Sequence, residues 1–261
     1  MSNSQVLKSP TSKSQAVLKS KKITVDFSGF KAINELDFEV NRNTVHFVIG
    51  PNGAGKTTLL DVICGNARVS TGKITFNDKH DLTKMSENEI VDQGISRKFQ
   101  APSVFHHLTV YENLEIAMKQ KKNLFSIIKA NNNQEDERKL EDMLELIGLT
   151  EEKDNLAGSL AHGQKQWLEI AMVLMQEPDL VLLDEPIAGM SKSERKKTGE
   201  LITKVAKERA VLIVEHDMDF VKDYADVVTV MHEGQLLFEG SMEDVQKDSR
   251  VREVYLGRKV D

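Results

Sequence analysis

Short apolar runs alternate with helical stretches along most of the chain, from about Ile23 onward. Three of the runs contain hardly a polar residue, which is typical of strands that are covered on both faces of a sheet. These runs are Val45–Ile49, Leu180–Leu183 and Val211–Val214. The alternation predicts an α/β domain with a mostly parallel sheet. Because ligands of open α/β sheets bind beyond the carboxyl ends of the strands, the polar residues after each run are candidates for a functional site.

A helical pattern replaces this alternation between about Ala101 and Ser159. From Glu135 to Leu149 apolar residues recur at helical spacing, and Gly148 is placed to end the helix. We expect a helical subdomain, about residues 101–170, inserted in the α/β core. Within it, Lys119 to Asn133 is rich in lysine and asparagine, which indicates a surface loop, with contact to anionic lipid headgroups as the alternative.

The composition is that of an ordinary folded protein, since 39% of the 261 residues are hydrophobic and can form a core. We expect a disordered tail over residues 1–20, which lack the apolar segment of a secretion signal, and one domain over residues 21–261. No stretch approaches the ~20 apolar residues that cross a bilayer. The net charge of −6 argues against broad nucleic-acid binding, which needs an excess of cations. The single cysteine, Cys64, favours a cytosolic setting and is expected to be a packed thiol.

A glycine-rich loop follows the first buried run. The stretch Gly50-Pro-Asn-Gly-Ala-Gly-Lys-Thr57 matches G-x-x-x-x-G-K-[ST] and opens a predicted helix that runs to Gly65. Its glycines let backbone N–H groups turn toward an anion, and the helix N-terminus adds partial positive charge. Lys56 is expected to reach the β- and γ-phosphates of ATP, and the Thr57 hydroxyl to bind Mg²⁺. The predicted nucleotide-binding residues of this loop are Asn52, Gly53, Ala54, Gly55, Lys56, Thr57 and Thr58.

Two adjacent carboxylates follow the second buried run. Asp184 fits the holding of Mg²⁺, and Glu185 fits the polarising of the water that attacks the γ-phosphate. The alternative is that the pair merely caps the next element, and the phosphate loop upstream disfavours it. Together the loop and the carboxylates predict a site for ATP hydrolysis.

Four further segments stand in a fixed order around these two motifs: Gln100, Leu160-Ala-His-Gly-Gln164, Ala188-Gly-Met-Ser191 and His216. With them, the chain from Ile23 to about Gly240 resembles the ATP-binding subunits of ABC transporters. In that resemblance the segments are the Q-loop glutamine, the signature loop, the D-loop and the switch histidine. The resemblance implies the ABC ATPase form of the P-loop NTPase fold. That fold has a mostly parallel sheet with flanking helices, an N-terminal antiparallel β part and a helical signature subdomain.

The resemblance also implies roles for individual residues. His216 would hydrogen-bond the γ-phosphate, with a core histidine satisfied by the backbone as the alternative. Phe27 stands where the family places an aromatic residue that stacks on adenine, Phe30 is its rival, and core packing is the alternative for both. The implied catalytic residues are Glu185, His216 and Gln100. The implied magnesium ligands are Thr57, Gln100 and Asp184.

An ATP-sandwich dimer follows from the same resemblance, with the signature loop of one subunit closing over ATP on the phosphate loop of the other. The residues expected to contact the partner's ATP are Leu160, Ala161, His162, Gly163 and Gln164. Ala161 replaces the family's serine and removes a hydroxyl donor worth ~1–3 kcal/mol, which predicts slower hydrolysis or weaker closure. His162 replaces a glycine and adds bulk and a proton-sensitive donor. In the D-loop, Met190-Ser191 replaces the usual Leu-Asp, which puts signalling through that loop in doubt.

Finer likenesses point to importers of the branched-chain amino acid and urea type. The segments that resemble this subgroup are Arg97–Gln100, Val104–Phe105, Leu108–Leu114 and Asp184–Gly189. Within it, three segments look most like the urea-permease motor subunit: His162–Ile170, Glu215–Met218 and Arg250–Arg258. The resemblance therefore implies import of urea or short amides, with branched-chain or other hydrophobic amino acids as the alternative.

The implied partners are membrane permease subunits, a second ABC ATPase subunit, either this chain or a paralogue, and indirectly a solute-binding protein. The chain would lie on the cytoplasmic face of the membrane, with Ala101–Leu114 bordering the permease. That segment would expose Phe105 and Tyr111, unless both pack in the insert's own core. His106 and His107 are adjacent, but no third ligand is evident, so no metal site is predicted there.

Three functions rival transport: a P-loop kinase, a GTPase and an ABC regulator. A P-loop kinase needs an acceptor pocket and a lid, and a GTPase needs a guanine-reading motif such as Asn-Lys-x-Asp; neither is found. A weakly hydrolysing ABC regulator or ATP sensor gains support from Ala161 and remains an alternative.

Overall fold

A computed structural model describes residues 15–98, 104–118 and 133–256 of the chain. Within these residues the strands are β1 (Ala16–Phe27), β2 (Phe30–Asn41), β3 (Val45–Ile49), β4 (Thr71–Phe76), β5 (His80–Asp81), β6 (Ile95–Lys98), β7 (Leu180–Asp184), β8 (Ala210–Val214), β9 (Val227–His232) and β10 (Gln235–Gly240). The helices are α1 (Lys56–Cys64), α2 (Glu87–Asp92), α3 (Val110–Ala117), α4 (Asn133–Ile147), α5 (His162–Leu174), α6 (Lys192–Ala206), α7 (Met218–Tyr224), α8 (Met242–Lys247) and α9 (Ser249–Leu256).

The larger of the two sheets has the strand order β10-β9-β3-β8-β7-β6. β9, β3, β8, β7 and β6 are parallel, and β10 pairs antiparallel with β9. Every residue of β3, β7 and β8 is buried, so the three predicted buried strands are confirmed. Asp184 pairs with Val214, and Val214 pairs with Val48, so the carboxyl ends of these strands meet at one edge of the sheet.

The smaller sheet is antiparallel and has the order β2-β1-β4-β5. It shares one apolar core with α1 and with one face of the larger sheet, where Leu59 and Ile63 pack with Val48 and Leu182. The antiparallel N-terminal part that the resemblance implies is therefore present. Since α1 lies between the two sheets, the loop that starts it is supported from both sides.

Strand β1 begins earlier than the sequence analysis predicts. The expectation of a disordered tail over residues 1–20 is wrong for Ala16–Ser20, which pair with β2 and β4. Val17 and Leu18 are fully buried in the core of the smaller sheet. The physical reason is that these apolar residues gain burial only through β2 and β4, which are distant in sequence. Residues 1–14 lie outside the described part of the chain.

Helices α3, α4 and α5 occupy the stretch between β6 and β7. The predicted helix of Glu135–Leu149 is confirmed as α4, which buries Leu140 and Leu144 against the core that contains Trp167 of α5. Gly148 follows it with φ 68. Residues 119–132 of the predicted surface loop lie outside the described residues, and its last residue, Asn133, begins α4. None of the described helices combines the length and the apolar composition needed to cross a bilayer.

Candidate functional site

The glycine-rich loop leaves β3 in a conformation that only glycine fits. A Cβ atom on Gly50 would lie 2.2 Å from the Met231 carbonyl oxygen, and one on Gly55 would lie 2.5 Å from the Ala32 carbonyl oxygen. Gly55 has φ 96, which side chains rarely adopt. The loop is therefore pressed against the backbone of β2 and β9. This close support holds the loop in one shape.

The ammonium group of Lys56 closes the loop. It donates to the carbonyl oxygens of Gly50 at 2.7 Å and Pro51 at 3.1 Å. Burial lowers the pKa of Lys56, and the nearby carboxylates of Glu185 and Asp184 act in the opposite direction. Lys56 therefore lies near enough to two carboxylates to feel their charge, at the edge where the strands end.

Helix α1 starts at Lys56 and has no side-chain cap at its N-terminus. Uncapped N–H groups at a helix start are donors for an anion. Asn52, Gly53 and Thr57 are exposed, Thr58 is half-buried, and Ala54 is buried. The exposed residues and the uncapped helix start form a cradle of donors that faces outward.

Asp184, at the end of β7, is 2% exposed and is held by Arg97 of the neighbouring strand β6. The guanidinium of Arg97 donates to Asp184 Oδ2 at 2.9 Å and to Asp61 Oδ1, on α1, at 2.5 Å. Burial raises the pKa of Asp184, and the guanidinium of Arg97 opposes this rise. Arg97 therefore ties the helix of the phosphate loop to the strand that carries the carboxylate.

Arg97 is not among the predicted site residues, although its position carries a signal. A charged residue within a strand that is buried in a parallel sheet must be paired. Cys64 lies near the same guanidinium, and burial raises the pKa of its thiol to about 12. This agrees with the expectation of a packed thiol.

Glu185 and His216 come together at the ends of β7 and β8. His216 Nδ1 lies 3.4 Å from Glu185 Oε1, and Glu185 has the left-handed φ of 47. Strained backbone of this kind clusters at functional sites. The His216 side chain is 68% exposed, so the core-histidine alternative is wrong. Both side chains thus face the edge of the sheet where the phosphate loop lies.

A second glutamate, Glu215, orients the turn that carries His216. It is 1% exposed, and its Oε2 accepts hydrogen bonds from the backbone N–H groups of His216 at 2.9 Å and Asp217 at 3.4 Å. Burial raises the pKa of Glu215. The sequence analysis missed this role because the backbone partners become visible only in the folded turn.

A buried ion pair joins the sheet to the helical region. Lys98 Nζ lies 3.1 Å from Glu169 Oε2, and both side chains are 2% exposed. Lys98 ends β6 and Glu169 lies in α5, the helix that follows the predicted signature loop. Gln100 lies outside the described residues, so its predicted role stays a prediction.

The predicted signature loop lies at the start of α5. Leu160 is buried, whereas Ala161, the residue at the N-cap, is exposed and gives the helix no side-chain cap. The Ala161 N–H group donates to Gln164 Oε1 at 3.0 Å, and Gln164 Nε2 donates to Glu152 Oε1 at 2.9 Å. Gly163 is buried, and His162 is exposed and contacts the D-loop, as described below. The start of α5 is therefore exposed at Ala161 and His162 and covered at Gly163.

The predicted aromatic contacts divide into exposed and packed side chains. Phe27 and Phe30 face each other across β1 and β2 and are 53% and 66% exposed, so core packing is wrong for both. Phe105 is 50% exposed, as predicted. Tyr111 instead packs partly buried against the core of the helical region, which corrects the expectation that it is exposed. In the described ranges no group of three or more His, Cys, Asp or Glu side chains is arranged for a metal ion.

Comparison with known families gives two matches. A family model described as ABC transporter matches residues 33–188, and one described as branched-chain amino acid ATP-binding cassette transporter matches residues 235–261. The probable branched-chain amino acid transport ATP-binding protein LivG of Archaeoglobus fulgidus is 35% identical over 246 residues, which cover 92% of this chain and 95% of that protein. The high-affinity branched-chain amino acid transport ATP-binding protein LivG of Escherichia coli K12 is 34% identical over 253 residues, covering 94% of this chain and 99% of that protein.

Solved structures give the same picture. A crystal structure of the ADP conformation of an ATP-binding cassette of an ABC transporter has a TM-score of 0.80 and 32% identity, and the match covers 94% of this chain and 100% of that chain. A nucleotide-free ATP-binding cassette from an ABC transporter has a TM-score of 0.79 and 32% identity, with 92% and 99% covered.

Proposed function

The chain belongs to the ABC transporter family, and we propose that it is the motor subunit of an importer of branched-chain amino acids. Its fold is the ABC ATPase cassette predicted from the sequence, and the family hydrolyses ATP. One observation carries the proposal for the site. Lys56, Asp184, Glu185 and His216 converge where β3, β7 and β8 end, beside an uncapped helix N-terminus.

Nucleotide binding is assigned to the phosphate loop. Lys56 and the N-terminal amides of α1 would hold the β- and γ-phosphates, and Phe27 or Phe30 would stack on adenine. The donor set fits Mg²⁺, because nucleotide-bound magnesium needs only one or two carboxylates besides phosphates and water, here Asp184 and the Thr57 hydroxyl. The ion would neutralise charge on the β- and γ-phosphates.

Hydrolysis is assigned to the pair at the ends of β7 and β8. Glu185 would accept a hydrogen bond from the attacking water and orient it, because its carboxylate is partly exposed and lies next to His216 at the ends of the strands. His216, held on its turn by Glu215, would donate a hydrogen bond to the γ-phosphate. Arg97 would keep Asp184 in place beneath them.

The signature loop is assigned to the partner subunit's nucleotide. Its support is the start of α5, which is exposed at Ala161 and His162 and has no side-chain cap. A second ATPase subunit, this chain or a paralogue, would complete each site. The permease would contact the segment around Phe105, at the cytoplasmic face of the membrane, and a solute-binding protein would deliver the solute on the other side.

ATPase assays test the motor assignment. We expect steady turnover by the parent and a loss of ~100-fold or more in Glu185→Gln, since an oriented general base contributes about 10²–10⁴-fold. Glu200→Gln, an exposed glutamate on α6, is the matched control. A parent chain that binds ATP without a single-turnover burst would favour the regulator or sensor instead.

The solute requires a separate test. The relatives described above are named for branched-chain amino acid transport, which favours that solute over urea. Urea stays the second candidate because His162–Ile170, Glu215–Met218 and Arg250–Arg258 resemble the urea-permease motor subunit. The permease that co-purifies from membranes should be reconstituted in vesicles with this chain. ATP-dependent uptake of labelled leucine supports the proposal, and uptake of labelled urea alone overturns it.

A further inference from the structure

One departure from the family pattern, His162 in the signature loop, contacts the D-loop of the same chain. His162, which stands in the signature loop where the family has glycine, places its Nε2 atom 3.0 Å from the carbonyl oxygen of Ala188 in the D-loop. Since a carbonyl oxygen only accepts, Nε2 carries the proton in this contact. The ring also lies against Gly189, because a Cβ atom there would be 3.1 Å from Nε2. The backbone of the D-loop at Ala188 and Gly189 therefore packs closely against the His162 ring.

A second contact joins the same two loops. Gly163, next to His162, is buried directly against the carboxylate of Glu194. That carboxylate accepts from the backbone N–H and the hydroxyl of Ser191, the residue that ends the D-loop and caps α6, at 2.7 and 2.6 Å. A side chain on Gly163 would meet Glu194 Oε1 at 2.2 Å. The two loops are therefore joined at two successive residues.

The D-loop is fastened on its other side to the segment after His216. Arg195 Nε donates to the Met190 carbonyl oxygen at 3.1 Å, and its guanidinium also pairs with Asp217. Asp217 follows His216 directly and caps α7. A continuous set of contacts thus runs from the signature loop through the D-loop to the residue beside the predicted catalytic histidine.

We propose that His162 is a positioning residue that fastens the signature loop to the D-loop of its own chain. Contact of the signature loop with the partner subunit's γ-phosphate is thereby transmitted to His216 in the chain's own site. This inference rests on the proposed dimeric function. It gives the unusual signature sequence of this chain a role that a glycine at residue 162 cannot fill.

The fastening itself is tested in the nucleotide-free chain by amide hydrogen exchange at Met190, whose N–H donates to the Ile187 carbonyl oxygen within the D-loop turn. We expect exchange to be about fivefold faster in His162→Phe, which keeps a ring but has no donor. His162→Gln, which keeps an N–H donor, should restore most of the protection. Unchanged exchange in His162→Phe overturns the inference. This result does not depend on ATP hydrolysis, so it is distinguishable from a failure of the proposed function.

Transmission is tested by kinetics. We expect His162→Phe to lower kcat about threefold to tenfold, with the KM for ATP changed less than twofold. The reason is that the histidine acts after the two ATPase subunits have closed around ATP. Combining it with Arg195→Met, which loosens the other side of the D-loop, should add little further loss, because both act through one loop. Fully additive losses would show that His162 acts directly on the partner's phosphate and would overturn the inference. Thermal unfolding of each variant is measured alongside to confirm folding.

Discussion

The phosphate loop and the signature loop differ in the contacts that hold them in place. The first is closed by contacts within the chain: Lys56 binds the loop's own carbonyls, and Gly50 is pressed on the backbone of β9. The second is exposed at Ala161 and His162, and its contacts run to the D-loop through His162 and to Glu152 through Gln164. The difference predicts that a single chain binds nucleotide, whereas hydrolysis needs a second chain.

The largest expected effect concerns the support beneath the phosphate loop. Arg97→Met removes the guanidinium from between Asp184 and Asp61, which leaves a buried carboxylate without its partner. We expect a loss of about 3–5 kcal/mol in the free energy of unfolding, measured by denaturant titration. Arg250→Met, which breaks an exposed pair with Asp248, should cost at most ~1 kcal/mol. Equal effects of the two substitutions would show that the buried pair does not support the site.

The second prediction compares a glycine substitution in the phosphate loop with one in the signature loop. Gly55→Ala forces a Cβ into the Ala32 backbone, so we expect single-chain ATP affinity to fall about 100-fold, or ~2.7 kcal/mol. Gly163→Ala meets only the flexible Glu194 side chain, so single-chain affinity should hold while ATP-driven pairing weakens.

Calorimetry and light scattering separate these two effects. Gly148→Ala, at a glycine with φ 68 and open space around it, is the control for backbone strain alone. If Gly55→Ala retained its ATP affinity, the close backbone contacts of the phosphate loop would not be what distinguishes it from the signature loop.

The third prediction concerns how stability depends on pH through His46 of β3, the strand that leads into the phosphate loop. His46 is fully buried with Nε2 2.8 Å from Thr229 Oγ1, and burial lowers its pKa from 6.5 to about 3. The unfolded chain therefore binds a proton first, so the stabilisation is present above pH 6.5 and is lost as pH falls toward 3. At pH 5 the free energy of unfolding should be about 2 kcal/mol lower than at neutral pH because of this histidine.

The variant His46→Gln isolates this effect. The difference in unfolding free energy between the parent and His46→Gln should shrink by that amount from pH 7 to pH 5. A difference that is constant with pH would show that His46 does not bind its proton more weakly in the folded chain.

The smallest expected effect restores the family residue in the signature loop. Ala161→Ser supplies a hydroxyl at the N-cap of α5, which should add about 1 kcal/mol to the free energy of unfolding. The same hydroxyl should speed hydrolysis or strengthen ATP-driven pairing by about fivefold, which is the lower end of the ~1–3 kcal/mol that one donor contributes. Unchanged ATPase rate and pairing would show that the missing donor does not weaken this loop.

Features set by local pattern could be predicted from the sequence. The three buried strands and the phosphate loop followed from short runs of apolar residues and glycine spacing. The start of β1 at Ala16 could not, because Val17 and Leu18 are buried only by strands distant in sequence. The pairing of Arg97 with Asp184 depends likewise on which strands become neighbours.

The contact of His162 with Ala188 shows the same limit within the candidate site. Both residues belong to segments that the sequence identified, yet their meeting depends on how α5 packs beside the end of β7. Tyr111 was expected at the surface because its segment would border the permease, whereas it packs partly buried against the core of the helical region. Motifs therefore predicted the members of the site but not their connections.

The central claim, that one chain holds the triphosphate of ATP on its phosphate loop, is tested most directly by calorimetric titration of MgATP into Lys56→Ala. We predict an affinity at least about 100-fold weaker than that of the parent, because the ammonium group between loop and phosphates is lost. Lys84→Ala, at an exposed lysine, should bind like the parent. Binding by Lys56→Ala as tight as that of the parent would contradict the account.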